Sequence, residues 1–198
     1  MRIIAGELRG RQLLGPEGDA TRPITDRVKQ SLFDILAHQM AGAHVLDIFA
    51  GTGSMGLESL SREARRAWFF EADRSALQRL RRNIDALRLP PERAVVVAGD
   101  LFAWFASWET RPDEPPKADI AFLDPPYRFL REQPERLRAL AAQLVRRHLA
   151  PGAVVIFRHD LGDALALPGL TVADARNYGR MTLEFMRVGQ QILGRPGS

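Results

Sequence analysis

Residues 47–56 read Asp-Ile-Phe-Ala-Gly-Thr-Gly-Ser-Met-Gly and follow the apolar pair Val45-Leu46. Gly51, Gly53 and Gly56 form G-x-G-x-x-G at the point where a strand (44–49) gives way to a helix that runs to about Ser61. Glycines at such a turn let the backbone approach a ligand, and a carboxylate about 20 residues later can accept ribose hydroxyls. Glu71, at the end of the apolar run 67–72, stands at that spacing. A tight strand–helix turn without a ligand would use the glycines and leave Glu71 unexplained. The stretch therefore predicts a doubly wound α/β fold with a nucleotide-like ligand at its first turn.

The alternation continues outward from this turn. A helix over 74–88, a strand over 94–99, a short helix over 101–108, a strand over 119–124, a long helix over 132–148 and a strand over 153–159 are expected in that order. Such β-α repeats require a mostly parallel sheet with helices on both faces. Residues 170–178 and 181–188 read instead as two strands joined by Gly179-Arg180, an antiparallel hairpin at the sheet's end. On the N-terminal side, Thr25 is placed to cap an amphipathic helix over 26–40. Residues 2–15, with turn-prone Gly6 and Gly10, suggest a small β-hairpin. The expected organisation is a hairpin-and-helix extension over 1–40 on one compact domain over 41–198.

Composition narrows the classes. The 198 residues are 45% hydrophobic, enough for a core, and include no cysteine. Disulfide frameworks, thiolate zinc sites and cysteine nucleophiles are thereby excluded. No apolar run approaches the roughly 20 residues of a membrane helix, and residues 1–15 do not read as a signal peptide. A cytoplasmic monomer without membrane contact is expected. Net charge is +4, and only Lys29 and Lys117 among the 28 basic residues are not arginine. That bias suits either phosphate contact or a GC-rich genome, and a charge of this size does not choose between them. His38, His44, His148 and His159 lack ligand spacing, so no metal is expected; Ser54 lies in no G-x-S-x-G motif. Trp104, Phe105 and Trp108 read as packing residues.

Two further turns carry chemistry. Gly99-Asp100-Leu101-Phe102 follows the third strand, which puts Asp100 at the same sheet edge as Glu71. Its carboxylate can accept from an adenine amine or cap the next helix. Asp124-Pro125-Pro126-Tyr127 follows the apolar strand Ile120–Leu123. Two prolines stiffen the turn, remove two donors and leave the Pro125 carbonyl as a fixed acceptor. With Asp124 it could hold both hydrogens of an exocyclic amine and free the nitrogen lone pair, while Tyr127 stacks an extruded base.

Asp47 argues against a dinucleotide, because a carboxylate there would repel a pyrophosphate. It suits the ammonium and sulfonium of S-adenosyl-L-methionine. Residues 47–53 resemble the D-x-F-A-G-T-G motif of class I S-adenosylmethionine-dependent methyltransferases, and 124–127 resemble the [DN]-P-P-[YFW] motif of amino methyltransferases. The latter serves adenine N6, cytosine N4, guanine N2 and glutamine amides alike. Arg2–Arg11 and Thr21–Val28 resemble the start of the RsmD family, with Ala5 and Ile24 departing from its pattern. This resemblance implies a Rossmann-like seven-stranded sheet ending in an antiparallel hairpin, and methylation of guanine N2 in 16S rRNA, free or in an assembling small ribosomal subunit. It implies a catalytic Asp124, Pro125, Pro126 and Tyr127. The cofactor would be held by Asp47, Phe49, Ala50, Gly51, Gly53, Glu71, Ala72, Gly99, Asp100, Leu101 and Thr25. A basic cluster of Arg9, Arg11, Arg22 and Arg27 would contact RNA. The other readings are a DNA adenine-N6 methyltransferase, which would need a target-recognition domain, and an NAD-dependent oxidoreductase, which leaves Asp47 and residues 124–127 without a role.

Overall fold

Strands made of near-continuous apolar residues must be covered on both faces. Val45–Ile48, Ala67–Phe70 and Ile120–Leu123 are all buried. In the computed structural model, which describes residues 1–16, 24–107 and 117–189, they form the middle of a seven-stranded sheet. In chain order the elements are α1 (Asp26–Met40), β1 (His44–Ile48), α2 (Ser54–Ser61), β2 (Arg66–Glu71), α3 (Arg74–Leu87), β3 (Ala94–Ala98) and α4 (Leu101–Ala106). There follow β4 (Ala118–Leu123), α5 (Arg128–Glu132), α6 (Pro134–Gln143), β5 (Leu149–Asp160), β6 (Leu170–Tyr178) and β7 (Met181–Val188). The sheet order is β3-β2-β1-β4-β5-β7-β6, parallel through β5, with β7 antiparallel to both neighbours. The Rossmann-like class I arrangement with its terminal hairpin is thus present.

Two consequences position the site. Strand order reverses between β1 and β4, and the connections leave opposite faces there, opening a crevice beyond the strands' carboxyl ends. Side chains also alternate across the pleat. Val45 packs with α1, α2 and α3, whereas Leu46 and Ile48 pack with α4 and α6. Asp47 therefore points toward α2, the helix that the glycine turn begins.

Three expectations need correction. The long helix over 132–148 is interrupted. Pro134 begins α6 at its first turn, which its missing N–H permits, and Gln133 before it is non-helical at φ −137°. α6 then ends in a π-helical turn over Leu144–His148. β5 starts at Leu149, so Pro151-Gly152 lies inside a strand instead of preceding one. The N-terminal hairpin is reduced to one antiparallel bridge, Arg2 to Gln12.

The reason for the last difference is a buried carboxylate. Glu58 of α2 accepts hydrogen bonds from Ile4 N (2.8 Å) and Ala5 N (3.0 Å), so these two donors go to a side chain, while Ile3 N and Leu13 N still pair across the arm with Arg11 O and Met1 O. Glu58 is fully buried, with Lys29 Nζ at 3.1 Å and Arg62 Nε at 2.9 Å. Lys29 Nζ also donates to the Arg2 carbonyl at 2.6 Å. One carboxylate thereby ties the arm, α1 and α2 together. Removing one partner of such a pair leaves an uncompensated buried charge. Glu58→Ala should destabilise the protein by about 3–5 kcal/mol, read as a lowered midpoint in urea with an unchanged slope. A loss below about 1 kcal/mol would show that the arm holds without it.

Candidate active site at the carboxyl edge of the sheet

The glycine turn closes over Asp47. Asp47 is buried, and its Oδ2 accepts from Gly56 N at 2.8 Å. A Cβ on Gly56 would lie 2.3 Å from the Phe69 ring and 3.1 Å from that same Oδ2, so only glycine permits this approach. Above it, Gly51 N donates to Glu71 Oε2 at 2.7 Å, and Ala72 N and Asp73 N donate to Oε1 at 2.8 Å each. Three backbone donors thus fix the Glu71 carboxylate at the end of β2, with one lone-pair site left on Oε2.

Burial pushes the Asp47 carboxyl up to about 8. The Gly56 N–H opposes this, and the neighbouring Asp124 and Glu71 reinforce it. No cation pairs with Asp47 among the described residues. A buried carboxylate flanked by two more is a site that a cationic ligand would stabilise.

The next turns complete the edge. Asp100 caps α4 through Oδ1 to Phe102 N (2.9 Å), and its Oδ2 pairs with Arg136 Nη2 of α6 at 3.0 Å. The capping expectation is met, and the second oxygen is engaged by Arg136. The Arg136 guanidinium lies 4.1 Å from the Phe102 ring centre. Phe49, held in the left-handed region at φ 64°, turns its ring to within 5.8 Å of both Phe102 and Phe129. A non-glycine residue there costs about 1–3 kcal/mol and is found where a site requires it. Ala50 N bonds to Phe70 O, Gly53 N to Ala50 O, and Gly99 N to Glu71 O, while Leu101 is buried beneath. Trp104 and Phe105 pack on Phe70, as expected; Trp108 lies outside the described residues.

Asp124 leaves β4 with its N–H on the Ile48 carbonyl of β1, across the switch point. Pro126 O accepts from Phe129 N and starts α5; Pro125 O accepts no hydrogen bond among the described residues. The fixed free acceptor expected from two prolines is present. Sequence reasoning missed Arg158 of β5, whose Nη1 is 2.9 Å from Asp124 Oδ2 and whose Nε is 3.4 Å from the Tyr127 hydroxyl. It also missed Arg136. Nothing local marks either residue, because each meets its partners only through neighbouring elements.

Thr25 caps α1, accepting from Val28 N at 3.4 Å, and follows Ile24, which lies against Asp124 and Arg158. Arg27, in the first turn of α1, is exposed at this edge. The expected basic cluster does not form. The arm carries Arg9 and Arg11 to the opposite edge, where Glu7 N bonds to Ser61 O at the end of α2 and Arg11 donates to the Ala86 carbonyl near the end of α3. Glu58 and Ser61 hold the arm along α2 and impose that course. Arg22 lies outside the described residues. No helix among them is long and apolar enough to cross a membrane, and no group of three or more His, Asp or Glu there could hold a metal ion.

Comparison with known proteins agrees with this geometry. The family model described as conserved hypothetical protein 95 matches residues 1–187. Ribosomal RNA small subunit methyltransferase D of Haemophilus influenzae is 34% identical over 169 residues, covering 85% of this chain and 83% of its own. The Escherichia coli protein of the same name is 41% identical over 128 residues, 65% of this chain and 61% of its own. The solved structure of the methyltransferase yhhF from Escherichia coli superposes with a TM-score of 0.79 at 30% identity, covering 96% of this chain and 99% of that one.

The raised Asp47 carboxyl has a stability consequence. Between the unfolded value of 3.8 and the folded value of about 8, the native state holds a proton that the unfolded state releases. Stability from this group therefore falls as pH rises through that window, by about 1.4 kcal/mol per pH unit. Asp47→Asn removes the slope. Its Tm should match wild type near pH 4 and exceed it by roughly ten degrees or more at pH 8. Parallel Tm–pH curves in thermal melts would refute the assignment.

Proposed function

The chain belongs to the conserved hypothetical protein 95 family, and from that premise we propose that it transfers a methyl group from S-adenosyl-L-methionine to the N2 amine of a guanine in small-subunit (16S) ribosomal RNA. The carrying observation is the juxtaposition of two acceptors, Asp124 and the free Pro125 carbonyl, with a buried carboxylate, Asp47, that lacks a cation. The names of the relatives supply the RNA class, and rRNA as substrate implies action in the cytoplasm.

Each residue has a role that its surroundings support. Glu71, pinned by three N–H groups, takes a ribose hydroxyl on the lone-pair site left on Oε2. Asp47 and the turn Phe49-Ala50-Gly51 with Gly53 receive the cationic amino-acid end. Asp100 offers Oδ2 to the adenine amine beside Arg136, with Ala72, Gly99, Leu101 and the Phe49–Phe102 ring pair around the purine. When bound, the cofactor supplies an electrophilic methyl group on a positively charged sulfur.

The protein's own chemistry is at the amine. A guanine N2 lone pair is delocalised into the ring and is a poor nucleophile. Asp124 and Pro125 O accept its two hydrogens, pyramidalise the nitrogen and aim the freed lone pair. Positive charge then grows on nitrogen next to two fixed acceptors, so positioning and electrostatics lower the barrier with no covalent enzyme intermediate. Pro126 stiffens the turn, and Tyr127 stacks the base once it has left its own stack. Thr25 and the first turn of α1 border the opening, and Arg27 is the basic residue there that would meet phosphate.

Four measurements test the reading. Asp124→Ala should lower single-turnover methyl transfer to 16S rRNA or particles containing it by about 100- to 1,000-fold. Cofactor affinity in calorimetry should stay nearly unchanged. Glu71→Ala should do the reverse, weakening cofactor binding by about 1.5–3 kcal/mol. Mass mapping of the methylated nucleoside identifies the base, and a product other than N2-methylguanine overturns the proposal. For RNA, Arg27→Ala should flatten the log–log salt dependence of binding by up to about one unit. Arg9→Ala and Arg11→Ala, at the far edge, should alter it less.

A further inference from the structure

Arg158 lies almost out of solvent, its side chain 12% exposed, among apolar groups that include Ile24, Met55, Phe122 and Leu183. An arginine in such surroundings needs partners for its charge. Two of them belong to one turn: Nη1 lies on Asp124 Oδ2 at 2.9 Å and Nε on the Tyr127 hydroxyl at 3.4 Å, with the guanidinium carbon 5.9 Å from the Tyr127 ring centre. A planar fork that reaches both ends of the Asp-Pro-Pro-Tyr turn constrains both side chains at once. Resting on the methyltransferase reading above, we propose that Arg158 is a positioning residue for the target amine: it holds Asp124 Oδ2 and the Tyr127 hydroxyl so that Asp124 Oδ1 faces the base as an ionised acceptor.

The charge state follows from the surroundings. Asp124 faces Arg158 from β5, Tyr127 from its own turn and Asp47 from β1, while α1 and β7 present only apolar Leu32 and Leu183. Burial raises the Asp124 carboxyl, and Arg158 is the opposing cation. Arg158 opposes that rise and favours the anion, which when so paired is a weak proton acceptor. As the N–C bond forms and the S–C electron pair returns to sulfur, the proton then leaves the nitrogen for water.

Arg158→Gln removes the charge and keeps an amide donor near the Nε position on a side chain two bonds shorter. In the free protein, the Asp124 carboxyl carbon, identified by its loss in Asp124→Asn, should titrate at least one pH unit higher than in wild type. The acid limb of the single-turnover rate should move up with it. Activity at pH 7 should fall tenfold or more and recover above the shifted limb, with cofactor affinity within about twofold. A limb and a carboxyl titration that do not move, or a rate lowered equally at every pH, would overturn the proposal. Arg158→Lys keeps the charge and loses the fork. Its limb should stay while its rate drops about three- to tenfold, and a wild-type rate would overturn the positioning role even if the glutamine variant does not fold. If wild type transfers no methyl group to RNA, the function proposed above fails, and the carboxyl titration still decides whether Arg158 governs Asp124.

Discussion

A carboxylate buried beneath a glycine turn is the constraint on which the rest of this structure depends. Asp47 alternates out of β1 toward α2, and only the missing side chain of Gly56 lets α2 begin directly above it. One backbone N–H does not offset the cost of burying that charge, which is why the carboxyl holds its proton to about pH 8. The strand register delivers Asp124 from β4 to the same crevice, and Glu71 ends β2 beside it. Three carboxyl groups therefore converge near the point where strand order reverses, and in the free protein Asp47 keeps a proton that a cationic ligand would displace.

Buried and half-buried carboxylates in this chain differ in how far they are satisfied, and the differences sort their roles. Glu58 meets two cations and two backbone N–H groups, so nothing is left to bind, and it locks arm to helices. Asp124 meets one cation through one oxygen and keeps the other available. Asp47 has one N–H and no cation among the described residues. Moving from full to partial satisfaction leads from structure to chemistry. It also explains why one of only two lysines is buried: a compact ammonium on a long stem reaches Glu58, Arg2 and Ser54 from a single position on α1.

The arm shows how a local cluster in sequence becomes two sites in space. Arg9 and Arg11 stand near Arg27 along the chain. Because the first residues run down α2 and are fastened there by Glu58 and Ser61, the chain turns at Gly6 and Gly10 on the far edge of the sheet. Basic side chains at the catalytic opening come instead from several elements, Arg27 on α1, Arg136 on α6 and Arg158 on β5. Only two of these face partners within the site.

By itself, the sequence determined the elements and the chemistry of their ends. Apolar strands, the glycine turn with Glu71 in register, the prolines that leave Pro125 O free and the closing hairpin are local, because period, turn geometry and missing donors act within a few residues. Pro134, read as lying within one long helix, instead begins α6 after a non-helical Gln133. Tertiary structure alone decided which side chains meet. Arg158 pairs with Asp124 because β5 lies beside β4, Arg136 reaches Asp100 because α6 packs on α4, and Arg11 leaves the site because Glu58 draws the arm away. Ion pairs between distant segments carry no periodic or turn signature; they exist only once burial has fixed the neighbours and removed the water that would otherwise satisfy each charge alone.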